Sequence, residues 1–285
     1  MSSDIKKIVW LASYPKSGNT WFRVFLSNLL AEEGQPVHIN KLHSSTIASS
    51  RMLFDENAGV PSSDLTNDEI AELRPEIYRG IAETTDETIF HKVHDAWVKT
   101  PTGKPLFPSE ITKAVIYFIR NPLDVAVSFA FHSQMKPDQM IQRINDPDYA
   151  FCNREDRIFN QFVQPLKDWS GHVQSWVVDS GLPLIVIKYE DMLENTFETF
   201  KFAVSFLGIE KDDDSLLKAI EASSIEKLKK MEEEAGFQEK PQGMKSFFRE
   251  GKSGNWKKHL TQKQVAELIN KHHDFMDRYG YLTDL

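Results

Sequence analysis

Four short runs of apolar, largely β-branched residues constrain the fold of this 285-residue chain more than any other feature. The runs span residues 8–11, 88–90, 114–119 and 184–187. Their apolarity is continuous rather than alternating, which is typical of strands buried on both faces of a parallel sheet. Apolar residues at helical spacing follow the first, third and fourth runs. Strands that alternate with helices predict an α/β fold of three layers, with a central, mostly parallel sheet flanked by helices.

The charge balance and the cysteine content exclude several classes of protein. The chain has 34 Lys and Arg against 42 Asp and Glu, a formal net charge of −8, whereas nucleic acids and anionic membranes favour clustered cations. The single cysteine, Cys152, excludes an internal disulfide and a zinc site built of thiolates. The N-terminal apolar run is too short for a signal peptide or a membrane span. We therefore predict a cytoplasmic protein with neither nucleic acid nor membrane as a partner.

Three polar stretches, residues 44–87, 134–157 and 232–253, interrupt the alternating pattern. Each is longer than a typical connection between elements. Ligands of α/β sheets bind beyond the carboxyl ends of the strands, and insertions there often form lids. The sequence leaves open whether these stretches are lids or solvated surface. A chain of this length buries about three-quarters of its unfolded surface, so we predict a single domain over residues 1–285.

The loop after the first run has the features of a phosphate-binding site. Residues 13–21 join the predicted strand to an amphipathic helix, which directs backbone N–H groups and the positive helix end to one spot. Lys16 adds a full charge, and Gly18 permits a close backbone approach. Ser17, Asn19 and Thr20 add side-chain donors. An ordinary strand-to-helix turn would tolerate the same residues, and the Walker A pattern is absent from the sequence.

The second run leads into two residues that suit catalysis. Side chains alternate along a strand, so Lys92 and His94 share one face while His91 and Val93 share the other. A histidine can accept a proton near pH 7, and a neighbouring cation can stabilise developing negative charge. A structural role is the alternative for a single histidine. Because His91 and His94 point to opposite faces, we do not expect a zinc pair.

The third run leads into a second candidate anion site. Asn121 is predicted as a helix N-cap, with Pro122 in the first turn and Asp124 in the position of a capping-box acid. A helix that starts there brings Arg120 and Ser128 near its N-terminal end. A guanidinium can grip a phosphate through two hydrogen bonds. A well-capped helix beside an incidental arginine explains the same residues.

Five segments, taken in order, resemble the motifs of sulfotransferases of the cytosolic type, which use 3′-phosphoadenosine 5′-phosphosulfate (PAPS) as donor. Residues 14–21, Tyr-Pro-Lys-Ser-Gly-Asn-Thr-Trp, are similar to that family's P-loop-like 5′-phosphosulfate loop. Residues 92–94 resemble its catalytic Lys-x-His, and residues 120–128 its 3′-phosphate motif. Residues 188–192 and 248–257 resemble its Tyr-Glu-Asp segment and its C-terminal glycine-rich signature.

The resemblance implies in-line transfer of a sulfuryl group from PAPS to a hydroxyl of a small-molecule acceptor, without a metal. His94 would remove the acceptor's proton, while Lys16 and Lys92 would stabilise charge on the leaving phosphate and the sulfuryl oxygens. The residues implied in donor binding are Lys16, Ser17, Gly18, Asn19, Thr20, Trp21, Arg120, Ser128, Tyr189, Ser223, Arg249, Glu250 and Gly251.

Departures from the family pattern leave two questions open. Glu250 stands where the family usually has a lysine, which puts negative charge near a phosphate unless the side chain points outward. Residues 257–262 follow the family's dimer motif only in part, so monomer and homodimer are both possible. The alternative functions are a metal-assisted nucleotide kinase of a related fold and a non-catalytic nucleotide-binding module. The sequence does not identify the acceptor.

Overall fold

The computed structural model describes residues 5–31, 36–42, 47–154 and 157–283. Within these ranges the strands are β1 Ile8–Ser13, β2 Ile89–Val93, β3 Thr112–Ile119, β4 Ala150–Phe151, β5 Gln164–Pro165 and β6 Leu184–Lys188. The helices are α1 Asn19–Leu30, α2 Arg51–Ala58, α3 Asn67–Glu83, α4 Pro122–His132, α5 Pro137–Ile144, α6 Trp169–Gln174, α7 Tyr189–Glu194, α8 Thr196–Phe206, α9 Asp213–Ala222, α10 Ile225–Ala235, α11 Trp256–His259 and α12 Gln262–Arg278. A 3₁₀ turn covers Ser62–Asp64, and a π-helical turn covers Ser175–Asp179.

The four predicted runs become neighbouring strands of one sheet. Its strand order is β2-β1-β3-β6, and β1 pairs with β2 in parallel, from Ile8 opposite Ile89 to Ala12 opposite Val93. Every residue of β1 is buried, as its continuous apolarity predicts. Helices flank this central parallel sheet, which confirms the predicted α/β fold. The strand ends differ from the predicted ones, since β1 continues to Ser13 and β2 begins and ends later than the second run.

The chain divides into two compact units, of which unit 1 comprises the described parts of 1–14, 46–117 and 146–186. It holds the described part of the predicted lid-like stretch 44–87; residues 44–46 lie outside the described ranges. Most of this stretch is helical, and α3 begins with a capping box between Thr66 and Glu69. Helices α2 and α3 bury apolar side chains in a common cluster. Its buried members are Phe54, Ile70, Ile77 and Phe162. The stretch is thus a packed part of unit 1, and its action as a lid stays a prediction.

Unit 2 comprises the described parts of 15–45, 118–145 and 187–285. Most of helix α1 is buried, and Phe22, Phe25, Leu26 and Leu29 are among its buried residues. The predicted stretch 134–157 contributes α5 to this unit, and its residues 155–156 lie outside the described ranges. In the described part of the chain, no helix is both long and apolar enough to cross a membrane.

The third predicted lid-like stretch, residues 232–253, is organised by two carboxylates. Glu232 accepts the backbone N–H groups of Phe247 at 2.7 Å and Phe248 at 3.0 Å. Glu239 forms a 2.7 Å ion pair with Arg23 of α1, whose side chain is almost fully buried. Three aromatic side chains of the stretch pack in one cluster with α1 and α10. The buried residues of this cluster are Val24, Ile39, Leu42, Leu228, Phe237, Phe248.

Candidate active site

The end of β2 carries the predicted catalytic residues of unit 1. β2 ends at Val93, so His94 is the first residue after the strand and not its last residue. His91 and Val93 are buried and Lys92 is half-buried, as the predicted alternation requires. The His91 ring stacks on the indole of Trp10 with centroids 5.8 Å apart. His91 is therefore a core residue, whereas Lys92 and His94 lie on the other face.

The hydrogen bonds of His94 fix its tautomer. Nδ1 lies 2.9 Å from the backbone carbonyl oxygen of Ser13 and 3.3 Å from Ser13 Oγ. A carbonyl oxygen can only accept, so Nδ1 carries the proton of the neutral ring. The lone pair is then on Nε2, the nitrogen that can take a proton from another molecule. This arrangement suits a general base.

The residue after His94 is anchored in the core of unit 1. The Asp95 carboxylate forms a buried ion pair with Arg74 at 2.8 Å, and its backbone carbonyl accepts Trp176 Nε1–H at 2.9 Å. Arg74 also donates from Nε to the hydroxyl of Tyr78 at 2.9 Å. These contacts immobilise the backbone that follows the candidate base.

In unit 2, the loop between β1 and α1 has the strained backbone expected of an anion cradle. Lys16 has φ 72° and Gly18 has φ 97°, and α1 starts after Gly18 without a side-chain cap among the described residues. A Cβ on Gly18 would lie 2.8 Å from Cδ2 of Tyr189. Glycine is thus required both by the backbone angle and by the close approach of Tyr189. Trp21 packs edge-on against the same tyrosine, with centroids 6.3 Å apart.

The side chain of Lys16 contacts two residues of unit 2. Its Nζ lies 4.1 Å from the ring centroid of Phe247 and 3.3 Å from Nδ1 of His132. The ammonium therefore lies over an aromatic face, a favourable place for a cation. The other side chains predicted to donate to the phosphate differ in exposure: Ser17 and Asn19 are buried, and Thr20 is half-buried.

Arg120 follows β3 and joins two loops of unit 2. Nη1 donates to the backbone carbonyl of Lys16 at 3.1 Å, and Nη2 donates to that of Lys252 at 3.0 Å. The guanidinium lies 4.2 Å from the ring centroid of Tyr189. Burial raises the pKa of Tyr189, so its hydroxyl stays neutral near pH 7. The predicted phosphate loop, Arg120, Tyr189 and the C-terminal loop are thus brought together.

The cap of α4 is as predicted, but one of its acids has another role. Asn121 Oδ1 accepts the N–H of Leu123 at 2.9 Å, and Pro122 is the first helical residue. Asp124 does not complete a capping box. Its carboxylate instead accepts the backbone N–H groups of Gly254 at 2.7 Å and Trp256 at 3.1 Å. The sequence does not predict this contact, because its partners are backbone groups 130 and 132 residues away.

The remaining predicted donor-binding residues make local contacts. Ser128 is half-buried within α4, and Ser223 Oγ donates to the carbonyl of Ile220 at 3.0 Å. The Arg249 guanidinium lies 3.6 Å from the ring centroid of Phe131, and Nη2 is 3.5 Å from Glu250 Oε1. The exposed side chain of Glu250 thus pairs with Arg249. Gly251 has φ 61°, and its predicted role in donor binding stays a prediction.

Two buried polar atoms at this site suit a ligand that accepts hydrogen bonds. Within the ranges that the structure describes, Ser17 Oγ and Arg120 Nε have no hydrogen-bond partner. An unsatisfied buried polar group costs about 1–3 kcal/mol. Both atoms can donate, and phosphate oxygens only accept. The residues of unit 2 therefore fit the phosphate groups of PAPS. No cluster of three potential metal ligands occurs among the described residues.

Comparison with known proteins identifies the family. The model of the sulfotransferase domain matches residues 6–280. Sulfotransferase 1E1 of Cavia porcellus is 26% identical over 272 residues, which cover 92% of this chain and 80% of that protein. Sulfotransferase 2A6 of Rattus norvegicus is 27% identical over 278 residues, covering 92% and 81%.

Solved structures agree on the fold. Retinol dehydratase in complex with androsterone and the inactive cofactor PAP has a TM-score of 0.64 at 18% identity, covering 95% of this chain and 81% of that one. Mouse sulfotransferase SULT7A1 complexed with PAP has a TM-score of 0.60 at 17% identity, covering 96% and 91%. The match to the family model spans nearly the whole chain, and this confirms the prediction from the sequence: the chain belongs to the PAPS-dependent sulfotransferase family.

Proposed function

We propose that this protein transfers the sulfuryl group of PAPS to a hydroxyl of a small-molecule acceptor, with His94 as the general base. The observation that carries the proposal is the 2.9 Å contact between His94 Nδ1 and the Ser13 carbonyl oxygen, which assigns the ring proton to Nδ1. The lone pair on Nε2 therefore points away from the hydrogen bond between Nδ1 and the Ser13 carbonyl. A non-catalytic nucleotide-binding module would have no need of this arrangement.

The donor would be held by unit 2. Ser17 Oγ and the N-terminal end of α1 are suited to the 5′-phosphate, and Arg120 is suited to the 3′-phosphate. Thr20, Ser128, Ser223, Arg249 and Gly251 are assigned to the donor by their positions in the motifs. Bound PAPS supplies an activated sulfuryl group whose leaving group is a phosphate.

The chain's own residues would then move one proton and stabilise charge. His94 Nε2 accepts the proton of the acceptor hydroxyl while the acceptor oxygen forms its bond to sulfur. The bond between sulfur and the 5′-phosphate oxygen breaks, and its electron pair stays on that oxygen. Lys16 and Lys92 stabilise the negative charge there and on the sulfuryl oxygens. By analogy with phosphoryl transfer, positioning and electrostatics supply most of the rate.

The relatives support a proposal for the acceptor class. Solved relatives are described in complexes with androsterone and with retinol, and one curated relative is a flavonol 3-sulfotransferase of Flaveria bidentis. All three compounds carry a hydroxyl on an apolar skeleton. We extend this acceptor class to the present chain.

We assign the chain to the cytoplasm, because relatives of Danio rerio and Arabidopsis thaliana are named cytosolic sulfotransferases. Its state as monomer or homodimer stays a prediction.

Calorimetric titration with 3′,5′-adenosine bisphosphate, ADP and ATP with Mg²⁺ tests the donor assignment. We expect tight, metal-independent binding of the bisphosphate and much weaker binding of ADP, because ADP lacks the 3′-phosphate. A preference for ATP with Mg²⁺ would support a kinase instead. Tight bisphosphate binding without transfer from PAPS to phenol, androsterone or flavonol acceptors would support the non-catalytic module.

Ser17→Ala gives the titration a sharp internal test. The Ser17 hydroxyl is buried and makes no hydrogen bond among the described residues, so its removal should leave the melting temperature unchanged or raise it. Bisphosphate affinity should fall by about tenfold, because the bound phosphate loses a donor. A matched control is Ser63→Ala, which lies outside the site on the turn Ser62–Asp64.

A further inference from the structure

His94 is held at a second point, by a buried histidine that no motif predicted. Nε2 of His172 lies 3.0 Å from the backbone carbonyl oxygen of His94. His172 belongs to α6 and is 0% exposed. Because a carbonyl can only accept, Nε2 of His172 carries the proton. The ring of the candidate base and its backbone are therefore fixed by separate hydrogen bonds, one to the Ser13 carbonyl and one from His172.

The tautomer of His172 is set by Tyr117 of β3. Its hydroxyl lies 2.8 Å from Nδ1 of His172, and Tyr117 is itself 0% exposed. With the proton of His172 on Nε2, Nδ1 is the acceptor and Tyr117 is the donor. Tyr117, His172 and the His94 carbonyl thus form a chain of hydrogen bonds with one direction.

The same imidazole also touches the residue beside Ser13. The ring of Tyr14 meets that of His172 edge to face, with centroids 5.4 Å apart. Tyr14 follows Ser13, whose carbonyl holds His94 Nδ1. His172 therefore contacts the backbone carbonyl of the candidate base and the side chain of the residue that follows Ser13. A displacement of its ring would change the direction in which His94 Nε2 points.

The charge state of His172 suits this task. Burial lowers the pKa of His172 to about 4, so the ring is neutral near pH 7. A neutral donor holds the His94 carbonyl without placing a cation near the candidate base. A cation there would disfavour the protonated form of His94, which general-base catalysis requires.

We propose that His172 and Tyr117 are positioning residues, which orient His94 for removal of the acceptor's proton. The proposal rests on the proposed function, since it presupposes His94 as the base. A misplacement of about 1 Å in a catalytic group can cost about 10²-fold in rate. The pair would thus determine kcat while leaving the binding of the donor to unit 2 unaffected.

Three variants separate positioning from simple packing. His172→Gln keeps an N–H donor near the place of Nε2, His172→Leu removes it, and Tyr117→Phe removes the donor that fixes the His172 tautomer. For each we measure kcat and KM with PAPS and a panel of phenol, androsterone and flavonol acceptors. Calorimetric titration with 3′,5′-adenosine bisphosphate and thermal melting accompany the kinetics. His94→Ala is measured in parallel to test the base itself.

We expect His172→Leu to lower kcat by about 10²-fold, with unchanged bisphosphate affinity and a shifted pH profile of kcat/KM. His172→Gln should recover most of the rate. A Leu variant with the wild-type kcat and pH profile overturns the proposal, as does a Gln variant that is no faster than Leu. If His172→Leu does not fold, Tyr117→Phe decides by the same readouts.

Nitrogen-15 NMR of the histidine rings tests the geometry without any acceptor. The wild type should show His94 protonated on Nδ1 and His172 on Nε2, and Tyr117→Phe should mix the two tautomers of His172. An unmixed His172 tautomer in that variant overturns the positioning role. An active His94→Ala would refute the base and with it the positioning role. An inactive His94→Ala beside fully active His172 variants refutes the positioning role alone.

Discussion

The carboxylate of Asp124 accepts the backbone N–H of Gly254 at 2.7 Å, although the two residues are 130 positions apart. Its other oxygen accepts the N–H of Trp256 at 3.1 Å. The first turn of α4 therefore holds the C-terminal glycine-rich loop, and Arg120 holds the same loop through the carbonyl of Lys252. The acid that the sequence puts in the position of a capping-box residue instead anchors the C-terminal glycine-rich loop.

Asp124→Asn should weaken bisphosphate binding by about tenfold. The amide keeps one acceptor oxygen but presents an NH₂ group to a backbone N–H, so one of two charge-assisted bonds is lost at a cost of about 1–3 kcal/mol. Calorimetric titration measures the loss. Asp138→Asn is the control, because Asp138 also lies in the first turn of a helix. Equal affinities in the two variants would show that the loop anchor does not matter for the donor.

Gly18→Ala should abolish tight bisphosphate binding, because its Cβ would lie 2.8 Å from Tyr189 in a backbone with φ 97°. Gly59→Ala isolates the backbone cost, since Gly59 has φ 70° and open space around it. We expect about 1–2 kcal/mol of destabilisation from the left-handed conformation in each variant. A Gly18→Ala protein that matches Gly59→Ala in stability and the wild type in affinity would contradict this prediction.

The sequence predicts those features that depend on neighbouring residues. The continuous apolarity of residues 8–11 and 114–119 marks buried strands, and Asn121 and Pro122 mark the start of α4. The alternation along β2 correctly separates His91 from Lys92. Each of these signals comes from local geometry, which acts over a few residues.

The sequence does not predict contacts that the fold creates over long separations. Glu232 organises the backbone of Phe247 and Phe248, and nothing in its own neighbourhood indicates this. His172 is an isolated histidine in a short helix, and only the register of α6 against the end of β2 brings it to the His94 carbonyl. Backbone groups carry no sequence signature as partners, so such residues are found only in the structure.

Glu250→Gln should strengthen bisphosphate binding by up to about fivefold. Glu250 pairs with Arg249 at 3.5 Å on the surface, and such exposed pairs contribute about 0–1 kcal/mol. Removing the carboxylate makes the guanidinium available to a phosphate and removes a like charge from its surroundings. The gain should shrink at high salt, where surface charges are screened. Glu234→Gln, which loses a similar surface pair with Lys230 at 3.8 Å, should not change the affinity.

His94→Ala should lower kcat by about 10²–10⁴-fold, the usual contribution of a general base. Bisphosphate affinity should stay at the wild-type value, because the residues assigned to the donor phosphates belong to unit 2. His273→Ala serves as control, since the His273 side chain is largely exposed on α12. Near-normal turnover of the His94 variant would refute the assignment of the base.

The stability of the protein should fall as the pH drops from about 6.5 to about 4, partly because of His172. Burial lowers the pKa of His172 to about 4, whereas in the unfolded chain it is near 6.5. Between these values the unfolded state binds a proton that the folded state excludes, so acid favours unfolding. The full effect of one such group is about 3 kcal/mol. Urea unfolding at several pH values measures how the free energy of unfolding changes with pH. This pH dependence should be smaller in His172→Gln than in the wild type. The exposed control His273→Gln should keep the wild-type dependence, and an equal dependence in all three proteins would contradict a buried, neutral His172.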